Sequence, residues 1–142
     1  MYFTEEELVG YKEFDGDITS FKEYLSNKRS FDVLDSIVES VCSVVNVHPS
    51  KILLPTNKRS VVMPRQLAHY FSYYYTTVDI KTIGRRIGFK NHDTVLYSKN
   101  TVDNLCESDL SLATVVLNIS NSLEAKGIIR IYDKNGRGQR LN

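Results

Sequence analysis

No apolar run in this sequence approaches the ~20 residues needed to cross a bilayer, so a membrane-spanning helix is not expected. The amino terminus, "MYFTEEELVG", opens with acids where a secretory signal would carry a basic region and an apolar core, and the cytoplasm is the expected compartment. Cysteine is scarce: Cys42 and Cys106 have no CxxC spacing and no histidine at ligand distance. Both fall on apolar helical faces and are expected to be reduced packing residues. Also missing are GxxxxGK followed by Ser or Thr, a GxGxxG after a strand, HExxH and GxSxG. The phosphate-cradling and nucleophile motifs therefore fail, and neither catalysis, a cofactor nor a metal is expected.

A formal charge of +1 over 142 residues hides a division along the chain. Residues 1–50 are net −6, residues 51–99 are net +7, and residues 100–142 balance. The middle stretch holds Lys51, Lys58, Arg59, Arg65, Lys81, Arg85, Arg86, Lys90 and Lys99 against only Asp79 and Asp93. Such a stretch is either a solvated face or one that meets phosphate.

The length fits one domain of ordinary size, and the periodicity is helical almost throughout. Thr4 to Glu7 reads as a capping box opening a short helix that ends near Asp15-Gly16-Asp17, and "SFKEYL" as a second short turn. Ser30 is expected to cap a helix whose Leu34, Ile37, Val38, Val41, Cys42 and Val45 form one apolar stripe. Pro49 suits a first helical turn and Pro55 stops it. After the polar basic loop "TNKRS", Pro64 is expected at the start of a helix carrying Leu67, Tyr70, Phe71 and Tyr74 on one face. Its aromatics are expected to pack rather than stack on a ligand, and His69, off that face, to be exposed. Asp79 caps "IKTIGRRIG", which breaks at Gly88, and a further helix follows with Val95, Leu96, Val102 and Leu105. Ser108 or Ser111 is expected to cap "LATVVLNISNSLEAK", closed by Gly127, and "IIRIYDKNGRGQRLN" reads as strand, Asn-Gly-type turn, strand, or as a basic tail. The expected fold is a mainly-α helical bundle with a C-terminal β-hairpin.

Two short helices on either side of a tight glycine-containing connection form a helix-turn-helix pattern. His92 and Asp93 stand side by side at the start of its second helix, but neighbours on a helix point about 100° apart, so they are not expected to form an orienting pair. That first turn is where side chains reach base edges in the major groove. Asn91, His92, Asp93 and Thr94 are short and polar, Lys90 before them suits a phosphate, and Tyr97, Ser98 and Lys99 are expected to continue the exposed side.

The pieces "TNKRSVVMPRQLAHYF", "IKTIGRRIGF" and "KNHDTVLYSKNTV" stand in the order and spacing of a known family. The segment from about residue 31 to 106 resembles the DNA-binding C-terminal domain of the bacterial replication initiator DnaA, whose signature runs Arg-Asp-His-Thr-Thr-Val-Leu-His. The resemblance implies a DnaA/Trp-repressor-like helix-turn-helix and double-stranded DNA as partner. It implies major-groove contacts from Lys90, Asn91, His92, Asp93 and Thr94. It further implies that Lys58 and Arg59 approach the minor groove or its phosphates, and that Arg65 and Lys99 meet phosphate. Arg85 and Arg86 join that backbone set on charge alone. Two departures stand out: Asn91 where the family has Asp, and Asp93 where it has Thr. Asn prefers the adenine edge, and a carboxylate accepts from cytosine N4 and cannot pack on a thymine methyl. A sequence preference different from the usual initiator box is expected, unless Asp93 only caps the helix. The initiator's ATP-binding module has no counterpart in these residues. A stand-alone, nucleoid-associated reader is therefore expected, of the kind a phage or mobile element uses in replication or transcription control.

Flanking this segment, residues 1–30 form an acidic extension suited to a basic partner or to screening the basic face, and residues 107–142 a helix with a basic hairpin or tail. Two other readings compete: a winged-helix regulator using Arg130, Lys134, Arg137 and Arg140 on a wing, and a protein-interaction adaptor that has lost DNA.

Overall fold

The computed structural model describes the backbone of residues 18–134 and 136–140, with side chains from 32 to 134 and at Arg137. The capping box at Thr4 and the turn at Asp15 lie outside the described residues. The chain divides into two units, residues 1–32 and 33–142; apart from the first part of the first helix, every feature below belongs to the second.

The first described helix, α1, runs Ile18–Val45. It passes through Ser30, where a start was expected, and takes in "SFKEYL" as well; between its ends stands neither Gly nor Pro to interrupt it. Leu34, Ile37, Val38, Val41 and Cys42 form its buried stripe. It closes on Asn46 in the left-handed region (φ 58°), with the Val47 amide returning to the Cys42 carbonyl at 3.0 Å. Both described cysteines are free, and burial pushes the Cys42 thiol up to about 11.

Helix α2 is Pro49–Leu53, capped by His48, whose Nδ1 accepts from the Ser50 amide at 3.1 Å. Helix α3, Arg59–Tyr75, is the spine. It begins five residues before Pro64, which was expected at its start. The carbonyl that this proline leaves without a helical partner is that of Ser60, an exposed residue, so no buried group is orphaned. Tyr70, Phe71, Tyr73, Tyr74 and Tyr75 are all buried, as expected, and meet edge to face: Tyr70–Tyr74 centroids lie 4.9 Å apart and Tyr73–Tyr74 5.1 Å.

Helices α4, Ile80–Arg86, and α5, His92–Ser108, pack on α3 and on each other, and α6, Leu110–Ala125, packs on α5. The cap of α6 is Asp109 rather than Ser108 or Ser111, its Oδ1 accepting from the Leu112 amide at 3.1 Å. Gly127 (φ 79°) ends the helix as expected, with the Ile128 amide bonded to the Leu123 carbonyl at 2.9 Å. An antiparallel hairpin follows, β1 Tyr132–Asp133 and β2 Gly136–Arg140, tied to α3 by the Ile131 amide on the Tyr74 carbonyl at 2.8 Å.

His69 differs most from expectation. It is fully buried, and its ring joins three elements: Nε2 donates to the Ile87 carbonyl at 2.8 Å, and Nδ1 lies 3.0 Å from Ser98 Oγ. Because a carbonyl can only accept, Nε2 carries the proton and Nδ1 accepts from the serine hydroxyl. The ring is held neutral. Burial, aided by the charges of Arg65 and Lys90 and opposed by the Ile87 hydrogen bond, lowers its pKa to about 4. The unfolded chain then takes up this proton near pH 6.5 and the folded one only near pH 4. The contribution is complete above pH 6.5 and falls by roughly 3 kcal/mol as the pH drops to about 4. Urea unfolding followed by circular dichroism across this range should show that slope, and His69→Gln should flatten it.

Candidate nucleic-acid interface

Asp79 opens α4, its Oδ1 accepting from the Thr82 amide at 2.6 Å. The chain leaves α4 through two successive left-handed residues, Gly88 (φ 90°) and Phe89 (φ 52°), and re-enters helix at His92. The Lys90 amide returns to the Gly84 carbonyl at 2.8 Å and closes the turn. A Cβ on Gly84 would collide with the Lys90 carbonyl, and one on Gly88 with the Arg65 side chain, so both glycines are required by close approach.

Arg65, expected at the surface facing phosphate, is 4% exposed. Its guanidinium donates to the carbonyls of Ile52 at 3.1 Å, Leu54 at 2.5 Å and Thr56 at 2.7 Å. The planar fork thus fastens the end of α2 and the loop before α3 onto the spine.

Asn91 caps α5. Its Oδ1 accepts from the Thr94 amide at 2.9 Å and the Thr94 hydroxyl at 3.0 Å. The cap is therefore Asn91 and not Asp93, and two of the four expected base readers are engaged with each other. His92 and Asp93 project outward, the Asp93 side chain 80% exposed. Contrary to the expectation from helical angles, His92 Nε2 lies 3.2 Å from Asp93 Oδ1.

The outward face of α5 continues through Tyr97, 65% exposed, to the exposed Asn100 and Asn104. Sequence reasoning missed the two asparagines, although they follow Asp93 and Tyr97 at helical spacing. It missed Phe89 as well. Ser98 and Lys99, expected on the exposed side, turn inward: Ser98 meets His69, and the Lys99 side chain is 12% exposed. Lys99 Nζ pairs with Asp103 at 3.4 Å and lies 5.5 Å from the Tyr73 ring centroid.

Among the cations, Lys58 and Arg59 are exposed at the start of α3, and Arg85 and Arg86 at the end of α4. Arg86 stands 3.7 Å from Asp35. Lys90 Nζ donates to Asn57 Oδ1 at 2.8 Å, so the basic loop and the head of α5, 33 residues apart in sequence, adjoin in space. Lys81, Arg85, Phe89, Lys90, Asn91 and His92 line a shallow concavity there. The hairpin cations lie elsewhere. Arg137 donates to the Tyr73 and Val78 carbonyls, Arg130 stacks 4.2 Å from the Tyr74 centroid, and Lys134 pairs with Glu107 at 2.7 Å. The Arg140 side chain lies outside the described residues. No group of three or more His, Cys, Asp or Glu stands within reach of one metal ion among the described residues, and no described helix is long and apolar enough to cross a membrane.

A short capped helix, a tight turn and a second helix with an outward polar first turn define a DNA-binding helix-turn-helix domain. Residues 34–102 match the family model for the bacterial DnaA protein helix-turn-helix and belong to that family. The chain is 34% identical over 95 residues to the chromosomal replication initiator protein DnaA of Bacteroides fragilis, a match covering 67% of this chain and 20% of that protein. The corresponding protein of Bacteroides thetaiotaomicron is 35% identical over 100 residues, covering 70% and 21%. That of Rickettsia bellii is 37% identical over 87 residues, covering 61% and 19%. The chain thus spans about a fifth of the length of these relatives.

The division of labour at the head of α5 has a measurable consequence. Asn91→Ala should cost about 1 kcal/mol in thermal unfolding through loss of the cap, whereas Asp93→Asn should cost at most a few tenths. Gly84→Ala should cost about 1–3 kcal/mol, because the Lys90 carbonyl has to move.

Proposed function

We propose that this protein binds double-stranded DNA sequence-specifically, with the first turn of α5 in the major groove and the loop before α3 at the adjacent backbone or minor groove. The observation that carries the reading is the Lys90–Asn57 contact, which sets the basic loop beside the reading turn. One stretch of duplex then meets both. His92 and Asp93 contact base edges, and Asn91 adds the donor of its side-chain amide while its oxygen holds the cap. Thr94 reaches a base through its methyl group. Lys58, Arg59, Arg85, Arg86 and Lys90 meet phosphates, whereas Arg65 and Lys99 act from inside by holding the loop and α5 in place. The relatives are named as chromosomal replication initiators; the target sites in this reading are akin to initiator boxes and are occupied in replication or transcription control. The Asp93 carboxylate accepts from cytosine N4 and moves the preference away from the family's usual site.

Titration of a labelled initiator-type duplex and a randomised pool at several salt concentrations tests this. With five phosphate contacts, log K should fall against log salt with a slope of about −4.5. Absence of binding at low salt would refute the reading. Selection from the pool should give different consensus sites for wild type and Asp93→Thr, with each altered base pair worth about 1–3 kcal/mol.

A further inference from the structure

Phe89 combines three properties that a solvated turn does not need together. Its backbone lies in the left-handed region at φ 52°, where a bulky side chain is disfavoured and glycine is at ease. The residue is 67% exposed, and no other aromatic ring among the described residues pairs with its own. Around it stand Lys81, Arg85, Lys90 and His92, a surface otherwise built of cations and polar groups. A large apolar group there leaves most of its surface in solvent.

The concavity adjoins the turn that holds His92 and Asp93, so the ring shares their proposed target. On the edge of a base pair in the major groove, the thymine C5-methyl is the apolar feature. We infer that Phe89 is a specificity-determining residue whose ring packs on a thymine methyl next to the base pairs met by His92 and Asp93. The inference rests on the DNA-binding reading above. It assigns the turn, and not only the helix, a part in reading sequence.

The test uses a duplex selected from a random pool by the full chain, and a set of the same duplex with each thymine replaced singly by deoxyuridine, which lacks only the methyl. Wild type should lose about fourfold in affinity at one of these positions. Phe89→Gly should bind the thymine duplex at least fourfold more weakly and no longer distinguish the two bases there, while Phe89→Tyr should keep the discrimination. Phe89→Gly should also melt at or above the wild-type temperature, since glycine suits the left-handed backbone. A lower melting temperature would mark the ring as a packing group and overturn the inference. So would wild-type affinity in Phe89→Gly, or discrimination that survives in it. If wild type binds its duplex and Phe89→Gly binds equally well, only the role of Phe89 falls; if wild type binds no duplex, both readings fall together.

Discussion

A neutral imidazole sealed between three elements fixes the geometry on which the candidate interface depends. His69 reaches Ile87 at the end of α4 through one nitrogen and Ser98 in the middle of α5 through the other. The two helices of the motif are thereby registered against α3 by directional bonds in addition to apolar packing. One turn earlier on α3, Arg65 gathers the carbonyls of Ile52, Leu54 and Thr56. A single helix thus holds both parts of the candidate interface, the loop through Arg65 and the motif through His69.

Burying a cation and an imidazole so close together shapes their chemistry. The guanidinium keeps its charge because carbonyl oxygens meet its nitrogens, whereas the imidazole, with one carbonyl and one hydroxyl, stays uncharged. Gly88 belongs to the same arrangement, since a side chain there would displace Arg65. The left-handed turn residue and the anchor of the loop are thus one packing problem.

How much of this could be read from the amino-acid sequence depended on whether the cause was local. Asp79, Pro49, Gly88 and Gly127 act on the backbone within a few residues, and the elements they open or close stand where their chemistry places them. Ser30 shows the limit: a residue favoured at caps does not start a helix that its neighbours already continue. Arg65, His69, Ser98 and Lys99 were misplaced for a different reason. Each is a polar residue whose burial is decided by partners that, for all but Lys99, are distant in sequence, as Ile87 and Ser98 are 18 and 29 residues from His69. Periodicity sees polarity but not the carbonyl waiting across the core. The family signature places a helix start at residues 91–92, where α5 does begin, yet only the cap geometry shows that Asn91 and Thr94 bond to each other.

The positions that hold the motif and those that face outward are different sets. Arg65, His69, Gly84, Gly88, Val95, Ser98 and Val102 are buried in it. Asp93, Tyr97, Asn100 and Asn104 touch little of it, and their face lies open on α5. Such a separation makes the outward face evolvable. If that face reads DNA as proposed, substitutions there would change what is recognised without passing through unfolded intermediates, and a lineage could drift from one target to another in single steps.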